Sequence, residues 1–191
     1  MIFWKILEFS RDKCFLAILY DKIKDENMEI RKTRLEELDA VMEVYAYARK
    51  FMAEHDNPNQ WRNNKPSREQ IEQDILAGKH YVCMEDEQIA AVFYFAHEAD
   101  PTYIKIYDGA WLNEEEYSVV HRIASSGLVK GAGSFCMNWV ASQCVNLKID
   151  THKDNYVMQN MLKKCGFMHC GTIYLEDGEP RLGFQKTEKM I

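Results

Sequence analysis

Several features that would assign this chain to a specialised class are missing. No apolar run approaches the ~20 residues needed to span a bilayer, since the short runs at residues 1–9 and 14–20 are broken by Ser10-Arg11-Asp12-Lys13. No small-residue cleavage site follows a single apolar core, which argues against a secretory leader. The six cysteines, Cys14, Cys83, Cys136, Cys144, Cys165 and Cys170, form no C-x-x-C pair and no Cys/His metal spacing. Set mostly in apolar patterns, they read as buried free thiols in a reducing cytoplasm, with no metal site. Clustered Lys and Arg are lacking and the formal net charge is −6, which excludes general nucleic-acid affinity. Repeats, linkers and low-complexity stretches are absent too. What remains is ordinary: 191 residues, 47% hydrophobic and 28% charged, suit one domain with a full core.

Residues 117–143 organise the chain. They read as a β-branched and aromatic strand, a Gly/Ser bend, Gly131-Ala132-Gly133 and then a helical period carrying Phe135, Trp139 and Val140. Glycines at the entry to a helix let a ligand approach the backbone, and the free N–H groups there suit a phosphate. Val129, Lys130, Gly131, Ala132, Gly133 and Ser134 therefore form a candidate phosphate cradle, with plain strand-to-helix connection as the alternative. A second apolar strand follows at residues 145–149, then a helix over residues 156–165 led by Asn155, then Gly166-Phe167 opening a further strand. A crossover of this length makes the two flanking strands parallel.

This order of strand, Gly-x-Gly helix, strand, Asn155-led helix and Gly166-Phe167 resembles the acetyl-CoA-binding half of the GNAT N-acetyltransferase superfamily, and the likeness extends over nearly all of residues 28–186. In that family the pyrophosphate turn has the form Arg/Gln-x-x-Gly-x-Gly/Ala. Leu128 replaces the first basic or amide position here, and Lys130 is the nearest substitute. The resemblance implies an α/β (α+β) fold: a mixed, mostly antiparallel sheet of about six or seven strands with a central splayed parallel pair, flanked by about four helices. It also implies acetyl-CoA as co-substrate, an amine-bearing acceptor, and a monomer or homodimer; no nucleic-acid or membrane partner is expected from the charge and the short apolar runs.

The remaining elements fit that plan. Residues 1–27 form an N-terminal extension, either an amphipathic segment that packs on the domain or a partner, or residues upstream of a natural start at Met28, which the pattern favours. The acetyltransferase domain is expected over residues 28–191. Residues 29–33 alternate as a strand, residues 35–53 carry one apolar helical face, and Ser67 with Gln70 opens a second helix. Two strands joined at Asp86-Glu87-Gln88 make a hairpin. Residues 103–107 read as either a strand or an extended loop, and residues 167–186 close the fold as a hairpin around Asp177-Gly178.

Transfer of acetyl to an amine needs a held carbonyl, donors for a developing oxyanion, and proton transfer at both ends. The resemblance sets the wedge for the cofactor arm at Arg122, Ile123, Ala124 and Ser125 against residues 148–151, with backbone N–H groups as donors. It also puts Asn155 beside that arm, although helix capping accounts for this residue equally well. The tyrosine that often protonates the departing thiolate corresponds here to Leu162. His152 is nominated instead, ahead of Tyr156. His121 is the first choice for the base, ahead of Glu54, His55 and Asp108. On a regularly alternating strand His121 shares a face with Ile123, and a satisfied core histidine is the competing reading. Glu54, Trp61, Asp108 and Trp111 are acceptor-site candidates: the family forms one acceptor wall from its first two helices, and aromatic faces attract amines. A non-catalytic acyl-CoA sensor on the same fold is the alternative function, favoured by Leu162 and Leu128.

Overall fold

Alternating and helical apolar patterns sort into seven strands and four α-helices across residues 27–187, the part of the chain described by the computed structural model. In chain order these are β1 (Met28–Lys32), a 3-10 turn (Leu35–Glu37), α1 (Leu38–Glu54), α2 (Arg68–Leu76), β2 (His80–Glu85) and β3 (Gln88–Ala96). A second 3-10 turn (Pro101–Tyr103), β4 (Ser118–Ser125), α3 (Ala132–Gln143), β5 (Asn146–Thr151), α4 (Tyr156–Lys164), β6 (Met168–Tyr174) and β7 (Pro180–Thr187) follow. The extension expected at residues 1–27 lies, but for its last residue, outside the described residues, as do residues 188–191.

The sheet runs β1-β2-β3-β4-β5-β7-β6, with β4 and β5 the one parallel neighbour pair among the described strands. That is the expected mixed sheet. α1 and α2 cover one face, where Val41, Val44, Tyr45, Ile71 and Ile75 pack on Val82, Val92 and Ala124. α3 and α4 cover the other, where Cys136, Met137, Val140 and Leu162 meet Phe93, Phe95, Val120, Leu147 and Ile149. Trp139 packs edge-on against Phe93 and Phe95 from the rim of that core. Ser67 caps α2, its hydroxyl accepting from the Gln70 N–H at 3.2 Å.

Two local outcomes bear on function. Residues 103–107 form no strand. The 3-10 turn ends at Tyr103 and a single bridge joins Tyr107 to Thr172, with N···O distances of 2.8 and 2.7 Å. Regular alternation also fails on β4. His121 pairs with Tyr94 and Ala124 with Val92, so Arg122 and Ile123 together oppose Phe93, and Arg122 takes φ +53°. This is a β-bulge, which redirects the strand. His121 and Arg122 thus share the α1/α2 face, Arg122 lying 4.6 Å from the Tyr94 ring centre, while Ile123 packs on the opposite core. The expected pairing of His121 with Ile123 on one face is corrected by that inserted residue.

Candidate active site

The parallel pairing of β4 with β5 stops almost as soon as it starts. Ser118 faces Leu147 and Val119 faces Lys148, and no pairing follows. Arg122, Ile123, Ala124 and Ser125 on one strand and Asp150 and Thr151 on the other are left facing a gap between two sheet edges, whose unpaired amides can bond an extended ligand. The bulge is held from below by a buried chain of hydrogen bonds. The Thr33 hydroxyl lies 2.7 Å from His80 Nδ1, His80 Nε2 lies 3.1 Å from the Tyr45 hydroxyl, and that hydroxyl donates to the Arg122 carbonyl at 3.0 Å. Burial brings the His80 pKa down to about 3 and keeps the ring neutral, as this relay requires.

Beyond the gap the chain enters α3 at Gly131, the N-cap, with φ +91°. That conformation suits glycine, and a Cβ placed there meets nothing within 4 Å. The first-turn N–H groups of Ala132, Gly133 and Ser134 have no intrahelical acceptors and carry the positive end of the helix dipole. Val129 is buried and Lys130 exposed ahead of them. A gap between strands and an open glycine cradle together fit a long pyrophosphate-bearing thioester such as acetyl-CoA.

The α1/α2 side of the gap is polar. His121 Nε2 lies 3.0 Å from Asp100 Oδ2, each side chain being 19% exposed. Burial works to raise the Asp100 pKa, but hydrogen bonds from His121 and from the Thr102 hydroxyl and N–H outweigh it and bring it to about 2. A carboxylate only accepts, so Nε2 of His121 carries the proton toward Asp100, and in the neutral ring Nδ1 is the nitrogen that can accept one. The Tyr103 ring stands 5.9 Å from the His121 ring, and its hydroxyl donates to Asp150 Oδ1 at 2.7 Å. Arg181, also buried, reaches to 4.0 Å from Asp150 and donates to the Gln60 carbonyl at 3.4 Å. His152 is buried at the end of β5; its Nδ1 accepts from the Asp154 N–H at 3.2 Å, and burial together with Arg181 lowers its pKa. Asn155 caps α4 by accepting from the Met158 N–H and donates to Gln60 at 2.7 Å.

The acceptor-site candidates scatter. Trp61 packs edge-on against Tyr45, 5.7 Å between ring centres, beside the core under α1. Glu54 is exposed at the end of α1, 3.9 Å from Lys50, and His55 stacks on Phe51. Asp108 is exposed with φ +55°. Trp111 is held by an Nε1–H bond to the Tyr103 carbonyl at 2.8 Å and lies over the Lys148 ammonium at 4.3 Å. Asp100, Tyr103 and Arg181 carried no signal in the sequence, and Asp150 fell within the expected wedge at residues 148–151 without a role of its own. Asp100 stands at a turn-forming Asp-Pro pair, but nothing in the order of residues sets it beside His121. No cluster of His, Cys, Asp and Glu among the described residues is arranged to hold a metal.

A mixed sheet opened between two central parallel strands, with a glycine-capped helix behind the opening, is the architecture of an acyl-CoA-dependent transferase. No protein-family model matches the chain and no curated protein does; the likeness lies with solved structures. A GNAT-family acetyltransferase from Streptococcus agalactiae is 30% identical, spans 85% of this chain and 96% of its own, and superposes with a TM-score of 0.78. The chain belongs to the GNAT acetyltransferase family. Two more distant structures share the fold. A GNAT-family acetyltransferase from Bacillus cereus is 17% identical, with 84% and 96% of the two chains covered and a TM-score of 0.58. The aminoglycoside acetyltransferase AAC(6′)-Ib, solved with ribostamycin and coenzyme A, is 19% identical, with 85% and 94% covered and a TM-score of 0.60.

Proposed function

We propose that this chain is an N-acetyltransferase that moves acetyl from acetyl-CoA to a primary amine of its acceptor by direct attack in a ternary complex. The observation that carries this reading is the His121–Asp100 pair on the α1/α2 side of the β4/β5 gap, with the Gly131 cradle beyond it. Acetyl-CoA supplies an activated thioester and a thiolate leaving group. Gly131, Ala132, Gly133 and Ser134 hold its pyrophosphate, and the edge of β4 from Arg122 to Ser125 orients its arm and offers backbone donors to the carbonyl. His121 Nδ1 takes the proton from the attacking amine, and Asp100 stabilises the imidazolium that forms. His152, at the end of β5, has its pKa lowered by burial and by Arg181, so it passes a proton from water to the thiolate and is not a standing acid. The free thiols of Cys83, Cys136, Cys165 and Cys170 support a reducing, cytoplasmic setting. Among the described residues, no helix is long and apolar enough to cross a membrane.

A binding-only role has one specific observation behind it. Leu162, where the resemblance expects a tyrosine, is fully buried in the α3/α4 core and carries no proton. A thiol-release assay with acetyl-CoA and a panel of amines tests the choice. Release with any amine, lost in His121→Ala, supports the enzyme; saturable acetyl-CoA binding with no release across the panel supports the sensor.

A further inference from the structure

Lys148 projects from β5 onto the α1/α2 face and is 4% exposed. Its ammonium lies 3.9 Å from the Tyr117 ring centre and 4.3 Å from that of Trp111, and no carboxylate among the described residues pairs with it. A buried cation without a counter-charge is costly and calls for an explanation. It lines a cleft of about 630 Å³ walled by Tyr103, Ile106, Tyr107, Trp111 and Tyr117. This is the size of a site for a ligand with one or two rings.

The roof of the cleft is fixed in advance. The buried Gln185 amide donates to Asn113 and Asn146 and accepts from the Leu112 N–H at 2.7 Å, while Asn146 donates to the Asn113 side chain and to the Glu115 and Glu116 carbonyls. Below Trp111, a Cβ at Gly183 would come within 2.9 Å of the indole, so only glycine lets the ring settle at this depth. Such bonding holds the aromatic walls in place before any ligand arrives, which reduces the entropic cost of binding.

We propose that this cleft binds a small aromatic carboxylate, its ring against the aromatic walls and its carboxylate on Lys148. Lys148 is the one buried ammonium of the lining, Lys105 being exposed, and no arginine is present, which suits one negative charge better than a phosphate dianion; Glu114 at the lining also disfavours the dianion. Tyr103 is common to the cleft and to the His121–Asp100 pair, so an amine at the far end of the ligand is presented toward the proposed base. As an acceptor subsite this rests on the acetyl-transfer reading; as a binding site it does not.

The test titrates the full chain, without acetyl-CoA, with 4-(aminomethyl)benzoate, 4-methylbenzoate and benzylamine by calorimetry. Both carboxylates are expected to bind saturably, with affinity at least tenfold weaker in Lys148→Met, and benzylamine is expected not to bind. Equal affinity in Lys148→Met, or no carboxylate binding at millimolar ligand, overturns the proposal. With acetyl-CoA added, thiol release from 4-(aminomethyl)benzoate makes the carboxylate that of the acceptor. Binding without release assigns the cleft to a separate ligand and leaves the site standing. A chain that acetylates other amines but binds neither carboxylate refutes the cleft proposal alone.

Discussion

Replacing Lys148 by methionine should make the protein more stable at neutral pH. Burial brings the lysine pKa from its ordinary 10.5 to about 8. The gap of about 2.5 pH units corresponds to about 3 kcal/mol against folding whenever the lysine is charged in both states. Cation–π contacts with Trp111 and Tyr117 favour the charged form, and the cleft admits water, so a net penalty of about 1–2 kcal/mol is the better expectation. Below pH 8 folded and unfolded chains both carry the proton and the penalty is complete. Between pH 8 and 10.5 the folded chain has lost a proton that the unfolded chain keeps, so wild-type stability rises with pH relative to the variant. A methionine side chain nearly matches that of lysine in volume and leaves no charge to bury, so Lys148→Met should melt about 2–8 °C higher at pH 7. Urea denaturation of both proteins from pH 6.5 to 10.5 reads the effect, because tyrosines and surface lysines titrating in the same range cancel in the difference. The groups facing the ammonium, the phenols of Tyr103 and Tyr117 and the Cys170 thiol, have pKa values raised by burial. The reasoning fails if Lys148→Met is the less stable protein at pH 7 and the difference does not change with pH. A lysine kept at this cost in stability is what a binding role predicts.

Three further outcomes follow from the site. His121→Ala should lower kcat/KM by about 10²–10⁴-fold while leaving acetyl-CoA affinity within a few-fold; an unchanged pH–rate profile would remove His121 as the base. Gly131→Asp should weaken acetyl-CoA binding by tenfold or more and Gly131→Ala by less, since both carry the strain of the positive φ and meet no atom at Cβ, but only the carboxylate repels phosphate. Equal affinities by calorimetry would move the pyrophosphate elsewhere. Tyr45→Phe leaves the Arg122 carbonyl and the His80 ring short of a partner, so unfolding should become easier by about 1–3 kcal/mol in urea. A neutral substitution would mean that the relay does not hold the bulge.

Elements with strong local signals were legible in the sequence: the Ser67 and Asn155 caps, the glycine entry to α3, the hairpins, and the parallel crossover from β4 to β5. All depend on contacts a few residues apart, or on the fixed handedness of a crossover. The site was legible only as a set of candidates, because it is assembled by distant pairings. Asp100 and His121 are 21 positions apart in the numbering and meet through the return of β3 to β4. The bulge at Arg122 has no residue signature, since arginine at positive φ is unfavourable alone and is held there by Tyr45 on α1, an ion pair to Asp74 on α2 and the ring of Tyr94 on β3. Pure alternation sends Arg122 to the opposite face from His121. With one extra residue in the strand, the arginine is held by Asp74 beside the α1/α2 wall while His121 keeps its bond to Asp100. The bulge therefore places a fixed positive charge on the same face as the proposed base, and a substitution that straightens β4 should disturb proton transfer before it disturbs the cofactor cradle at Gly131.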